Sequence, residues 1–585
     1  MTSWWSHLKH RPVPVSITKT ITSSELRPSW RQVKLLPKTL TVKEVVSLFL
    51  FFIIFVISIS GLGWRWYLNN SELIPKIGGQ YQEGVVGTIR SLNPLFSSAN
   101  QVDKSISQLI FSGLFKTSGK ELINDLAESY TVSPDGEKYT ITLKNNLLWS
   151  DGAPLDADDV VFTIQLIQDQ NIKSPLASSL QNIKVEKVDN LNITLELAEP
   201  FAPFLTTLTF GILPRHIWQD ITPANFLLSE YNTKPVSNGP YRFKNLSSDR
   251  DGSLRNYVIE INPYYHDPKP YLKTITFKFY PDFETAIQAL KDNTIDGLGA
   301  VPLESLADIN SRLYSTYKLL LPQYTAIFFN PQNNALLKDR TFRQALAVAI
   351  NKTEILEQAI KDNGRVIDGA ITEGALGYNE NIKKYSFDPG WAEELLNKLG
   401  WEKKEDGIRY KKDEKLSLTL TIPERQEFIA VASMIKNYWQ AVGIDTQINI
   451  VPIFQLQRDV INPRQYQLLM ATEVVGVDPD PYAFWHSSQN LAPGLSLSIF
   501  NDPQIDKSVE EARRTIDNKL RAAKYADFQA ILADQVYAIF LYSPTFSYVL
   551  DKEIKGVDIK EINSSADRFN DIGSWYRLMQ RITAD

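Results

Sequence analysis

The residues that could act chemically on a substrate are few and scattered. The chain holds five histidines, His7, His10, His216, His266 and His486, with no spacing among them that suits a metal site or a catalytic pair. Cysteine is absent, which removes thiolate ligands, cysteine nucleophiles, disulfides and lipid attachment at an N-terminal cysteine. HExxH, GxSxG and phosphate-cradling loops do not occur. Ser16-Ile17-Thr18-Lys19 fits SxxK, but it sits in a basic tail without partner motifs and is read as chance. The 67 acidic residues include many near neighbours, so a paired-carboxylate hydrolase is not excluded by counting, yet no pair stands out. No residue set calls for a cofactor or a metal. What these residue types leave is binding or, less favoured, a carboxylate-pair hydrolase.

The elements that must position a recognition site are arranged unevenly. A chain of 585 residues, 43% hydrophobic and 11% aromatic, can fill several cores and is not globally disordered. Residues 1–44 hold eight Lys and Arg against Glu25 and Glu44, so this stretch is +6 and the remainder −11. An acidic body argues against nucleic acid as a partner, since phosphate binding needs a clustered basic face. The tail 1–44 shows little periodicity and reads as a disordered cytoplasmic segment. Val45–Gly63 carries no charge, and Trp64, Trp66 and Tyr67 follow it as interfacial anchors would, so 45–67 reads as a transmembrane anchor. The basic tail keeps the N-terminus cytoplasmic and the body outside by the positive-inside rule. A signal peptide cleaved near Ser58-Ile59-Ser60 is the rival, disfavoured by the length of the leading tail. Residues 68–82 read as a polar linker.

Leu126 to Gln168 is the most informative stretch. Tyr139, Ile141 and Leu143 alternate with polar residues, giving a half-buried strand over Lys138–Asn145. Pro134-Asp135-Gly136 and Ser150-Asp151-Gly152 are turns. Asp156 is a good N-cap for a helix carrying Val160, Val161, Ile164 and Ile167, with Asp159 able to reach back as a capping acid. Leu126-Ala127-Glu128-Ser129, Tyr139-Thr140, Leu143, Asp151-Gly152, Pro154, Ala157 and Asp159-Val160-Val161-Phe162 together strongly resemble the signature of the family-5 extracellular solute-binding proteins, the oligopeptide and dipeptide receptors of ABC importers.

The resemblance continues through Asn93-Pro94-Leu95-Phe96, Asn238-Gly239-Pro240-Tyr241 and the Asp339, Arg343, Ala345, Leu346, Ala349, Ile350, Asn351 helix, and covers roughly Tyr81 to Arg577. Independently, strands at Lys415–Ile422 and Asp445–Val451 flank a helix at Glu427–Val442, a βαβ rhythm that predicts a mostly parallel sheet. The resemblance implies an α/β, two-lobed, periplasmic-binding-protein-like fold of type II, in the large peptide-binding subclass. The expected boundaries are 83–323 for lobe I, 324–543 for lobe II and 544–585 for a C-terminal return to lobe I. It implies a receptor that is not an enzyme. Such a receptor closes its lobes on an extended peptide and passes it to separately encoded permease and ATPase subunits. Other solutes, such as nickel chelates, oligosaccharides or opines, are the alternative within the class. A surface peptide sensor and an extracellular hydrolase are the alternatives outside it. The absence of cysteine departs from the many family members that are lipoproteins, and leaves the apolar helix to tether the chain.

The same resemblance places the acid that would hold the peptide amine within Ala471–Trp485. Here the sequence departs from the family's G-W-x-x-D-x-x-x-P. Alignment on Pro481 and Phe484 sets Val477 at the aspartate and Val474 at the tryptophan. Asp478 or Glu473 is expected to supply the charge, the alternative being that Asp478-Pro479-Asp480-Pro481 is a helix-entry turn with Asp480 as its cap. Trp485, beside Tyr482, is expected at the cleft wall or in the packing of the lobe, and Trp149, before Asp151-Gly152, is a similar case. Tyr324 begins the strand that crosses into the second lobe and is expected near the hinge.

Overall fold

The computed structural model describes residue 30 and residues 41–583. The basic tail expected over 1–44 lies outside the described residues, apart from Trp30 and 41–44. The chain divides into two units, Met1–Ile74 with Met579–Asp585, and Pro75–Leu578.

In the smaller unit the helix Val42–Asn69 starts at Thr41, whose backbone N–H and hydroxyl both donate to Glu44 at 2.8 and 2.7 Å. This cap extends the helix three residues ahead of the apolar run. At a rise of ~1.5 Å per residue the helix is about 42 Å long. None of its residues is buried, and Phe49, Phe51, Phe52 and Ile57 stand exposed. Among the described residues it is the one helix long and apolar enough to cross a membrane. The stretch expected to be a linker, 68–82, is instead mostly strand. Ser71–Lys76 pairs with Leu578–Thr583, and Gln80–Val86 begins the main sheet of the larger unit. Its short, weakly patterned segments are fixed by partners distant in the chain rather than by local preference.

One twelve-stranded sheet runs through the larger unit. Its axis is the strand Ala538–Asp551, almost wholly buried because AIFLYSPTFSYVL is nearly continuous in apolar residues. Its first half pairs with Gln323–Phe329, from Phe328 against Ala538 to Thr325 against Tyr542. Its second half pairs with Tyr314–Leu320, from Leu320 against Thr545 to Tyr314 against Asp551. The chain thus enters the second lobe at Leu321-Pro322 and leaves it through Ser543-Pro544, inside one strand. Pro544, which has no N–H to donate, sits where the ladder changes partners. From sequence, the apolar run Ala538–Tyr542 reads as the last strand of the second lobe; the structure corrects this, since the strand continues unbroken into the first lobe.

The sheet is mixed rather than mostly parallel. Parallel pairing holds where a crossover helix allows it, as between Ser417–Pro423 and Asp445–Val451 around the helix Gln426–Ala441. Gln323–Phe329 and Ala538–Asp551 join antiparallel. The two faces of Gln323–Phe329 feed two cores of the second lobe. Ile327 and Phe329 pack with Leu346, Leu420 and Trp439, while Tyr324, Ala326 and Phe328 pack with Trp485, Phe528 and Phe540. The first lobe has its own core of Tyr81, Ile106, Ile141, Val160, Ile164 and Phe277, completed by Tyr548, Phe569 and Trp575 from the C-terminal segment.

The signature stretch folds as its residues dictate. Lys138–Leu143 is a central strand of a four-stranded antiparallel sheet, between Ala127–Val132 and Asn192–Glu196. The helix Ala157–Gln168 begins at Asp156, which accepts from the Asp158 N–H at 2.9 Å. Asp159 reaches back to the Asp156 N–H at 3.1 Å.

Candidate functional site

Two cavities open between the lobes and meet at Val477 and Asn563, which line both. The first encloses about 410 Å³ and is built mainly from the first lobe, by the end of the helix Gln101–Ile110, the turn Phe111–Gly113, Lys116, Asp125 and the segment 206–211. Gly113 permits that assembly, because a Cβ there would lie 2.5 Å from the Phe210 carbonyl oxygen. The second encloses about 540 Å³ and draws on both lobes, with Lys120, Lys318 and Lys560–Asn563 on one side and Arg365–Gly369, Glu373, Lys384 and Gly476 on the other. Gly476 has φ +80°, a left-handed conformation that turns the loop after Leu468–Val474 toward the cavity.

The lobes also touch directly. The Lys120 ammonium donates to the Glu373 carbonyl at 2.7 Å. Away from the cavities, Arg514 pairs with Glu199 at 2.7 Å and the Ala202 N–H donates to the Arg513 carbonyl at 2.8 Å. The Arg513 guanidinium lies between Phe201 of the first lobe, 4.9 Å from its ring centre, and Tyr482 of the second at 4.2 Å, and it pairs with Asp480 at 2.9 Å.

The five residues singled out from sequence lie elsewhere. None lines either interlobe cavity. Asp478 is half-buried and paired with Arg521 at 2.9 Å; it also accepts from the Asp480 N–H at 3.1 Å. Burial raises its carboxyl despite the guanidinium. Asp480 accepts from the Tyr482 N–H at 3.2 Å, so the Asp-Pro-Asp-Pro run is a helix-entry turn. Glu473, Tyr324 and Trp485 come together in the second lobe, as a chain in which the Trp485 indole donates to the Tyr324 hydroxyl at 3.2 Å and that hydroxyl donates to Glu473. Glu473 borders a separate cavity of about 370 Å³ within that lobe, beside Arg425 and Phe428. Burial pushes its carboxyl up to about 8. Trp149 is fully buried in the first lobe, and its indole donates to Asp159 at 3.3 Å. Charge and aromaticity mark these side chains in the sequence, but each is engaged by partners within its own lobe, and all but the half-buried Asp478 are buried. Val477 was the available signal for the cavity, since it stands at the position the family motif gives to its acid.

Asp125, His266 and Asp267 present ligand atoms within 4.8 Å of one another at the edge of the first cavity. Two ammonium groups already occupy that cluster. Lys116 contacts Asp125 at 3.2 Å and Asp267 at 3.4 Å, and Lys144 contacts Asp267 at 3.1 Å. Burial works against the Asp125 carboxylate, but His266 and Lys116 more than offset it and hold it below its ordinary range. The arrangement is that of an ion-pair network already neutralised.

Two α/β lobes on shared strands, with cavities between them, define a binding protein that encloses a small ligand. The sequence profile described as bacterial extracellular solute-binding proteins, family 5 Middle, matches residues 121–494. The chain belongs to that family, and it is an extracytoplasmic solute-binding protein of the ABC-transporter type. It is 28% identical over 498 residues to the oligopeptide-binding protein AppA of Bacillus subtilis, covering 82% of this chain and 89% of that one. The structure of AppA in complex with a nonapeptide matches with a TM-score of 0.68 at 25% identity, over 86% of this chain and 99% of AppA. NikZ of Campylobacter jejuni in complex with Ni(L-His) matches with a TM-score of 0.70 at 25% identity, over 85% of this chain and 99% of NikZ. The family's members are solute-binding proteins, not enzymes.

Proposed function

We propose that this chain is a membrane-anchored receptor that captures peptides between its lobes and hands them to a separately encoded ABC permease and its ATPase. The observation that carries the reading is the pair of adjoining cavities between lobes hinged on the strand Ala538–Asp551. Together they offer more room than a compact ion complex fills, which suits a peptide of several residues. The likeness to AppA, a peptide binder by its description, adds support. A nickel chelate is the less favoured ligand, because the one grouping with metal-ligand character among the described residues is filled by Lys116 and Lys144. The ligand would touch the cavity linings rather than Asp478, Glu473, Trp485, Tyr324 or Trp149. The helix Val42–Asn69 would hold the body outside the membrane, uncleaved, without a lipidated cysteine.

Native mass spectrometry of the full chain purified in mild detergent tests the reading: peptides are expected to co-purify. Deletion of the gene should abolish uptake of a labelled peptide in the host. Ligand-free protein and unchanged uptake would discard the peptide reading. Intact mass of the membrane-extracted chain tests the anchor, since cleavage near Ser60 would remove it.

A further inference from the structure

We infer that the interlobe cleft selects acidic peptides; this rests on the peptide-receptor reading and names the charge class within it. The second cavity is lined by five cationic side chains, Lys120, Lys318, Arg365, Lys384 and Lys560, against three acidic ones, Asp368, Glu373 and Glu561. Outside the basic tail the chain is net acidic, so this lining is not a sample of its average surface.

Every acid of the cavity is already held. Asp368 pairs with Lys352 at 2.8 Å, Glu373 with Arg365, and Glu561 with Lys120 at 3.4 Å. Lys560 is spent on Asp558 at 2.8 Å. The acids of the first cavity are engaged too, Asp125 by Lys116 and His266, and Asp567 by the Asn563 and Ser564 N–H groups at 2.8 and 3.0 Å. Among the described residues Lys318 and Lys384 have no carboxylate or carbonyl partner, and both are exposed.

Those two lysines come from opposite lobes. Lys318 is on Tyr314–Leu320, whose Leu319 packs in the first core, and Lys384 precedes Tyr385 of a second-lobe core. Closing the lobes with nothing between them brings like charges together. Closing them on a carboxylate gives each ammonium a partner. An anionic ligand therefore favours the closed state more than a neutral one does, and differential affinity for the two states is what lets a ligand drive closure. Low-dielectric walls around an aqueous cleft concentrate the effect.

Calorimetric titration of the full chain in non-ionic detergent, at low salt, tests this with three peptides of one length: Ala-Glu-Ala-Glu-Ala, penta-alanine and Ala-Lys-Ala-Lys-Ala. The acidic peptide is expected to bind at least tenfold more tightly than penta-alanine, and the basic one most weakly. The acidic preference should shrink as salt rises through 0.5 M, and Lys318→Glu with Lys384→Glu should lower the acidic-to-neutral ratio at least tenfold. The milder Lys318→Gln with Lys384→Gln serves if charge reversal disturbs folding. Equal or tighter binding of penta-alanine or the basic peptide would overturn the acidic selection and leave the peptide reading standing. Binding of none of the three would overturn both.

Discussion

Glu473 carries a physical consequence of its own. One oxygen accepts from Tyr324, the other is buried with no partner among the described residues, and burial raises the carboxyl from 4.5 to about 8. A carboxyl whose folded pKa exceeds its unfolded value binds protons more tightly when folded. Its contribution is therefore present at low pH and is lost as pH rises from about 4.5 through about 8. Glu473→Gln cannot ionise and keeps an acceptor for Tyr324. Thermal melts should show the variant more stable than the parent at pH 8, with the gap closing by about 1 kcal/mol per pH unit toward pH 5. A gap that does not vary with pH would mean that the folded carboxyl titrates as it does in the unfolded chain, and burial does not raise it. Val477 is the opposite case, an apolar residue lining both cavities. Val477→Asp adds a carboxylate without an ion-pair partner to the cleft, and should strengthen Ala-Lys-Ala-Lys-Ala relative to Ala-Glu-Ala-Glu-Ala by about tenfold, or 1.4 kcal/mol, in titration. This position was legible by alignment, whereas the pairing of Asp478 and Glu473 was not. Their partners, Arg521 and Tyr324, lie 43 and 149 residues away, beyond the reach of local pattern.

At the scale of elements, the Asp339 to Asn351 motif has a structural reason. Asp339 caps the helix Arg340–Val348, accepting from the Thr341 N–H at 2.7 Å. Arg343 is buried and donates to the carbonyls of Leu337, Lys338, Gln535 and Val536 at 2.7 to 3.0 Å. Gln535 ends the helix Asn518–Gln535, so the guanidinium satisfies carbonyls a helix end leaves orphaned. No carboxylate pairs with it among the described residues, and burial lowers its pKa to about 10. Arg343→Met should destabilise by about 3 kcal/mol, read as a lower urea midpoint, since several buried acceptors lose their donor at ~1–3 kcal/mol each. Arg343→Lys, with fewer and differently directed donors, should recover only part. The contrast with other elements explains what sequence could tell. The Asp156 and Asp159 cap was legible because it closes within four residues. Ser71–Lys76 was not, because its partner is Leu578–Thr583. The full length of Ala538–Asp551 is not legible in sequence, because Ser543-Pro544 has the composition of a turn and only pairing on both sides keeps it extended.

At the scale of the whole body, capture depends on how readily the lobes close. The contacts between Glu199, Phe201 and Ala202 of one lobe and Arg513 and Arg514 of the other exist only when the lobes meet. They touch no cavity-lining residue, so they bias the closed state without reading the ligand. Apparent affinity scales with the fraction of protein able to close. The pair Arg514–Glu199 is exposed and contributes little, whereas Arg513, stacked between Phe201 and Tyr482, contributes about 1 kcal/mol. Arg513→Ala should weaken every peptide by about fivefold, acidic and neutral alike, with their ratio unchanged. Arg514→Glu should weaken them by less, and Glu199→Arg added to it should restore the parent value. Titration with the same peptide series separates this from a change in recognition, which would move the ratio. Small-angle scattering should give a larger radius of gyration for ligand-free Arg513→Ala than for the parent. If affinity and scattering both match the parent, closure is governed by the strands at Leu321-Pro322 and Ser543-Pro544, and the outer clasp is a contact without consequence.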